Sequence, residues 1–290
     1  MSIEFDDILN FRDVGKTINA YTGRKLLREG VLFRSARPDD ATSRDRSRLT
    51  DELGIKTVVD LRSKTEHLKQ VQKKRETDRR TRRGLQSDAA LAESLQIAGL
   101  QYHAVRVTGR RLERELVRQL SWWNFFKLIF FFMFGYRTEA IRIMSREVMI
   151  PLGLTGLSLV TLDTSKNEIL EALNLLISPS KPRPALLHCT QGKDRTGMII
   201  ALILLALKVP TEAIQHDYML SQAGLQPERE ERVVEAEDIG LTSAWVDCEP
   251  ELISRVVSHL QIRYGGISGY LDSIGFSVVD RRMLVEVYGA

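Results

Sequence analysis

Residues 185–209 read ALLHCTQGKDRTGMIIALILLALKV. The first five form a short apolar run of strand type. From Thr196 onward the stretch is apolar nearly all round, which predicts a helix buried on every side. Between them lies HCTQGKDRTG, residues 188–197. A strand that feeds a glycine-bearing loop and then a helix start gathers successive backbone N–H groups around one point. The helix, expected to begin near Thr196, adds its positive end. The junction is therefore an anion cradle, with Cys189 at the strand end.

Working outward, similar strand and helix signals alternate. KTVVDLRS (56–63) is β-branched and apolar and predicts a buried strand. LQYHAVRV (100–107) predicts another. Leu49 and Leu53, four apart and followed by Gly54, predict a helix over about 41–54. Residues 165–178 carry a capping-box pair, Ser165 and Glu168, ahead of Ile169, Leu170, Leu173 and Leu176. Helical patterns continue over 211–222, 250–264 and 278–288. Residues 15–35, with a turn signal at Thr22-Gly23, are expected to form a hairpin leading to a strand. Strands alternating with helices predict an α/β layer fold. With no internal repeat and no clear linker, the expectation is one domain over 1–290, with a helical insertion at about 62–150.

The chemistry of the loop follows from its residue types. Amides that cradle an anion also stabilise a thiolate, so Cys189 is expected to be a nucleophile without a separate general base. Arg195, six positions on, completes Cys-x5-Arg, a spacing that lets the guanidinium fork return to bind two oxygens of the anion. Gly192 permits tight curvature, and Gly197 permits close packing beneath the loop. Thr190, Gln191 and Gly192 supply the cradle itself. Thr196 is expected to hydrogen-bond the sulfur, and His188 to bond to loop backbone and orient it. Lys193 adds a second positive charge, favouring substrates with extra phosphates. Asp60 and Arg62, and likewise Arg12 and Asp13, are expected either to line the pocket edge or to form buried ion pairs that tie the N-terminal segment to the sheet. The ligand that fits is a phosphate monoester dianion, and the reaction is phosphoryl transfer to sulfur and then to water.

HCTQGKDRTG resembles the signature loop of the protein-tyrosine phosphatase superfamily. Its GKDRTG form resembles an atypical family that includes bacterial tyrosine phosphatase B and fungal relatives. NFRDVG (10–15), LFRSARPD (32–39), LGIKTVVDLRS (53–63), GYRTEAI (135–141), DYMLS (217–221) and YLDSIGFS (270–277) are similar to further blocks of that family. The likeness thus covers nearly the whole chain. Lys16 departs from the pattern, standing where the family often has a second glycine. The resemblance implies a cysteine-phosphatase fold, with a mostly parallel sheet flanked by helices, and neither metal nor cofactor. It also implies substrates that are phosphotyrosine proteins, phosphoinositides, or both.

A leaving alkoxide or phenoxide needs a proton. No Trp-Pro-Asp tripeptide is present to supply it. Three aspartates remain as candidates: Asp247 in WVD, Asp163 upstream of the cysteine, and Asp194 within the loop. The resemblance favours Asp194, since lipid phosphatases also carry an Asp before the loop Arg. A rhodanese-like sulfurtransferase and a non-catalytic phosphate- or membrane-binding module are the alternatives to a phosphatase. His188 and Thr196 around the loop argue against the first, and the intact Cys189 and Arg195 against the second.

Two cysteines in 290 residues exclude a disulfide framework and suit a reducing, cytoplasmic setting. Cys248 is expected to be a plain buried thiol rather than a redox partner of Cys189. The acidic start MSIEFDDILN does not read as a secretory signal. A net charge of +4 favours anionic partners without singling out nucleic acid, and none is expected. The basic run 62–83, ten Lys or Arg against three acids, reads as a solvated helix face. SWWNFFKLIFFFMF (121–134) holds two of the three Trp and six of the ten Phe, with Ser121, Asn124 and Lys127 as a narrow polar stripe. Arg106, Arg110, Arg111, Arg114 and Arg118 precede it. Peripheral contact of residues 110–134 with an anionic membrane, a lid over the pocket, and a core helix are the three readings this composition allows. No uninterrupted apolar run reaches the roughly 20 residues a bilayer span needs.

Overall fold

The computed structural model describes residues 4–80 and 96–290. The central strand is β5 (Ala185–His188), paired in parallel with β2 (Leu32–Ser35) on one side and β3 (Thr57–Asp60) on the other. β4 (Gln101–Ala104) adds in parallel to β3, and the short β1 (Arg12–Asp13) adds antiparallel to β2, giving the order β1-β2-β5-β3-β4. Every residue of β2, β3 and β5 is buried, as a parallel sheet covered on both faces requires.

The two-residue period of the strands sorts the core. Phe33, Val58 and Leu186 lie side by side in register and face a small cluster with Ile8, Leu49 and Ile55. Val59 and Leu187 face the larger cluster, which Leu32 also joins. That cluster is built by α8 (Lys166–Ile177), α9 (Asp194–Ala206), α10 (Thr211–Gly224), α12 (Leu252–Tyr264), α13 (Ile267–Ile274) and α14 (Val278–Tyr288). On α9 every residue from Thr196 to Leu204 is buried, as its all-round apolar sequence predicts, although the helix starts two residues earlier, at Asp194. The remaining described α-helices are α1 (Val14–Thr22), α2 (Ser43–Ser47), α3 (Lys64–Arg80), α4 (Arg110–Arg118), α5 (Trp122–Met133), α6 (Arg137–Met144), α7 (Ile150–Thr164) and α11 (Arg229–Asp238). Of the expected basic face at 62–83, residues 64–80 are helical and 81–83 lie outside the described residues.

Two local expectations are corrected. The predicted hairpin over 15–35 is a helix followed by β2. Asp13 caps α1 by accepting from Lys16 N at 3.1 Å, its other oxygen accepts from Gly30 N at 2.6 Å, and Val14 and Ile18 face the core four apart. The Thr22-Gly23 signal is the helix end, with Gly23 left-handed at φ 63°. The Ser165/Glu168 capping box does not form either. Ser165 follows directly on α7 with φ −99° and ψ 34°, and its hydroxyl is buried without a partner. A capping box does form at Ser63 and Glu66, at the head of α3.

A third difference concerns apolar length. The helical stretch Arg137–Thr164, 28 residues long, is long and apolar enough to cross a membrane by length and composition. Here its C-terminal part packs on α12 and α9, with Leu154 and Leu162 buried, and Gly153 breaks the helix at φ 64° and ψ 178°.

The N-terminal segment is tied to this frame by charge. Asp217 on α10 is buried and accepts from Arg12 Nε at 2.8 Å and from Arg34 Nη1 at 2.5 Å. Arg12 also donates to Ser221 Oγ, and Arg34 reaches on to the carbonyl of Gly192 at 2.6 Å. Breaking such a network by removing one partner leaves uncompensated buried charge. Asp217→Asn should therefore lower the unfolding free energy in denaturant titration by about 3–5 kcal/mol. A loss below about 1 kcal/mol would contradict this assignment of the network.

Candidate active site

The parallel strands β2, β5 and β3 end together, and a cleft of about 770 Å³ opens at those carboxyl ends. His188 stands in register between Ser35 and Asp60. The next residue, Cys189, lines the cleft floor. It is 3% exposed, and its inner side packs on the apolar cluster. A second, shallower depression on α8, of about 440 Å³, is lined by Asn167, Glu171 and Asn174 and holds none of the expected catalytic groups.

From Cys189 the chain passes the carboxyl end of β2 to reach α9. Arg37 N donates to the Thr190 carbonyl at 3.1 Å, and Asn10 Nδ2 donates to the Gln191 carbonyl at 2.9 Å. Gly192 takes φ 64°, and a Cβ there would lie 1.9 Å from the Ser35 carbonyl oxygen, so only glycine fits. A Cβ on Gly197 would meet the Tyr218 ring at 3.2 Å and Arg34 Nη2 at 3.4 Å, the close packing expected beneath the loop. The first helical bond of α9 runs from Gly197 N to the Lys193 carbonyl. The amides just before it have no acceptor within the helix. Thr190, Gln191, Asp194 and Arg195 join Cys189 in lining the cleft.

Arg195 folds back as its spacing predicts, and it meets a carboxylate that sequence reasoning missed. Its Nη1 and Nη2 donate to Glu66 Oε2 and Oε1 at 2.7 and 2.5 Å, and Nη1 also donates to the Leu61 carbonyl at 3.2 Å. Thr190 Oγ1 donates to the same Glu66. Burial works against ionisation of Glu66, but the fork of Arg195 outweighs it and holds the carboxyl far below the usual range. The Ser63-x-x-Glu66 spacing was the available signal. It reports a helix cap, and only the fold brings that cap to Arg195.

Several expected site residues do other work. Lys193 is fully buried and does not line the cleft. Its Nζ donates to the carbonyls of Trp245, Val246 and Asp247 at 3.2, 2.8 and 2.8 Å, so it stitches the loop to residues 245–247 rather than charging the pocket. Asp60 does not line the cleft, and Arg62 lines it with every guanidinium nitrogen committed. Nε and Nη2 hold Asp60, while Nη1 and Nη2 hold Asp39. Burial opposes ionisation of Asp60, but His188 and Arg62 facing it keep its carboxyl down at about 2. Burial in turn pushes His188 toward its neutral form, and its Nδ1 lies 3.1 Å from the Cys189 carbonyl oxygen, the loop contact expected of it. Arg12 and Asp13 are structural, as the Asp217 network and the α1 cap require. The hydroxyl of Thr196 is buried without a partner, so the expected bond to sulfur is absent.

The three carboxyls considered as acids separate cleanly. Asp163 accepts from His259 Nε2 at 3.0 Å and Tyr264 OH at 2.7 Å, and pairs with Arg263 at 2.9 Å, away from the cleft. Asp247 is gripped by Arg229 through both oxygens and by Gln222, bonds that hold it down at about 2. Asp194 alone of the three lines the cleft. Its Oδ1 is buried without a hydrogen-bond partner, 3.8 Å from Lys193 Nζ. Cys248 is a free, buried thiol whose ionisation burial pushes up to about 11. The aromatic segment supplies no cleft-lining residue, and none of α5 is buried, which removes the core reading and leaves it no lid role in this conformation.

Comparison with known proteins bears on this arrangement directly. A tyrosine-protein phosphatase of Nostoc commune is 34% identical over 111 residues, covering 35% of this chain and 37% of that protein. The triple specificity protein phosphatase PtpB of Mycobacterium tuberculosis strain H37Rv is 29% identical over 110 residues, covering 33% of this chain and 40% of that protein. The alignments thus span well under half of each relative. The family model described as the tyrosine phosphatase family matches residues 3–289, so a loop that carries Cys189 and Arg195 at the head of a buried helix sits in a chain that belongs to that family.

Proposed function

We propose that the chain is a cysteine-dependent phosphatase that hydrolyses phosphomonoesters through a phosphocysteine intermediate. The observation that carries this reading is the placement of Cys189, the α9 start and Arg195 around one cleft at the carboxyl ends of the parallel strands. Cys189 Sγ attacks phosphorus, and the P–O bond to the leaving group breaks. Asp194, the one loop carboxyl in the cleft without a hydrogen-bond partner at Oδ1, gives its proton to the departing oxygen. In the second step Asp194, now ionised, takes a proton from water as that water attacks phosphorus and the Cys189 thiolate leaves. The free amides at the α9 start and the positive charge of Arg195 stabilise the charge on the transferring group. Both named relatives are phosphatases, which favours phosphoryl transfer over the rhodanese-like alternative.

Glu66 acts as the positioning residue for Arg195. A two-pronged carboxylate fixes the plane of the guanidinium before substrate arrives, so less ordering remains at the moment of binding. The phosphate is carried by a phosphotyrosine protein or by a phosphoinositide, and a reducing, cytoplasmic setting that keeps Cys189 free belongs to the same proposal. So does peripheral contact of residues 110–134 with an anionic membrane, which brings the cleft to membrane-held phosphate.

Three variants test the assignments. With Asp194→Asn, turnover of an alkyl phosphate should fall by about 100-fold or more, and turnover of an aryl phosphate with a good leaving group by less than about tenfold, because the second needs no proton. Equal losses would remove Asp194 from the acid role, and retained turnover in Cys189→Ser would contradict the mechanism. Glu66→Gln keeps the shape of the side chain but loses the charge pairing with Arg195. It should lower kcat/KM by about 10–100-fold through weaker use of the phosphate, with little change in the fold. An unchanged kcat/KM would show that Arg195 needs no such partner.

A further inference from the structure

α5 leaves most of its apolar surface in solvent. An amphipathic helix on a protein surface turns its apolar stripe inward and its polar side outward. Here only Asn124 of the polar stripe turns inward, with Phe125, Leu128 and Phe131 half-buried near it, while Ser121 and Lys127 are exposed. Ser121 N donates to Glu147 Oε1 at 2.5 Å, and Asn124 Nδ2 donates to Glu147 Oε2. That anchor leaves the aromatic side in solvent. Trp122, Trp123 and Met133 are 74%, 78% and 77% exposed, and Phe126, Phe130, Phe132 and Phe134 are at least half exposed. A contiguous apolar surface of this kind marks an interaction site.

The neighbouring charge names the partner. On α4, Arg110, Arg114 and Arg118 recur every four residues, with Arg111 beside them, and all four are exposed, as is Arg106 ahead of the helix. Between residues 106 and 118 the chain carries five Arg against Glu113 and Glu115. A second copy of the chain is a poor occupant. A two-fold contact brings the same patch onto itself and would set this arginine row against its own image. Aromatic rings with Trp at the edge, beside a row of arginines, match the acyl–headgroup boundary of an anionic bilayer.

We infer that α4 and α5 form a seat that lies in the plane of an anionic membrane surface, with the outer face of α5 inserted and the α4 arginines on the headgroups. This deepens the proposed function and rests on it only for the consequence for turnover. The seat does not span. The twelve residues of α5 extend about 18 Å, against about 30 Å of hydrocarbon. The longer stretch Arg137–Thr164 is committed to the fold through the buried face of α7. The seat also has a fixed relation to the chemistry. Thr108, two residues before α4, and Met149, two residues beyond the Glu147 anchor, both line the cleft. Seating the arm therefore holds the cleft at the bilayer, where it meets phosphate esters carried by the membrane.

The test is flotation of the full chain with phosphatidylcholine vesicles made with and without phosphatidylserine, at low and high salt. The expected result is binding that needs phosphatidylserine, weakens with salt, and blue-shifts tryptophan emission. Trp122→Glu/Trp123→Glu, and separately Arg110→Glu/Arg114→Glu, should each weaken binding by about tenfold or more. Both variants should keep wild-type turnover of a soluble aryl phosphate while losing the advantage for a phosphoinositide presented in the anionic vesicles. No binding of the wild type at low salt overturns the inference. So does vesicle binding that both variants retain, or a concentration-dependent dimer that the tryptophan variant abolishes. Vesicle binding without turnover of any phosphomonoester leaves the seat standing and rejects the phosphatase reading instead.

Discussion

The buried Asp217 carboxylate, held between Arg12 and Arg34, is the constraint on which the site depends. It sits on α10, one arginine comes from β1 and the other from β2, so a single charge joins the first strands of the chain to a helix more than 180 residues later. Arg34 then uses its other terminal nitrogen, Nη2, to hold the Gly192 carbonyl. The loop around Cys189 thus inherits its shape from the sheet rather than from its own residues. Gly192 is pressed so close to the Ser35 carbonyl that no side chain fits, and Lys193 is spent on three carbonyls of residues 245–247. A loop pinned from both sides needs little rearrangement to receive an anion, which is the form of preorganisation that favours stabilisation of developing charge.

The same economy explains the division of labour among the charged groups. Arg62 pairs with both Asp60 and Asp39 beside the cleft, and His188 stands between Asp60 and the loop. Arg195 and Glu66 form a separate pair whose guanidinium reaches the cleft. Asp194 stays outside both pairs, its Oδ1 3.8 Å from Lys193 Nζ, and in the proposed mechanism it is the group that exchanges the proton. The cleft is also lined by Arg37, Lys69 and Arg232 and by Trp245 and Val246.

Much of this was legible in the sequence because it is local. The strand at 185–188, the buried helix after it and the return of Arg195 all follow from residue types within ten positions of one another. The parallel sheet follows from strands that are apolar on both faces. What escaped was set by distant partners. Lys193 reads as a free charge until residues 245–247 fold over it. Glu66 reads as a helix cap until Arg195 arrives. Asp217 carries no signal of its two arginines, more than 180 positions away. The hairpin expected at 15–35 failed for a local reason, since a helix C-cap and a hairpin turn share the same Thr-Gly signature. The aromatic segment was ambiguous because composition cannot say which edge of a helix faces inward, and Glu147 decides it.

The account stands on Cys189 as the atom that accepts the phosphoryl group. The direct measurement is rapid acid quench of the enzyme during turnover of an aryl phosphate, followed by mass analysis of the peptide that contains residue 189. The expected result is the mass gain of one phosphoryl group on Cys189, present during turnover and absent in Cys189→Ser. Sustained turnover with Cys189 unmodified, or with the phosphoryl group on another residue, would contradict it.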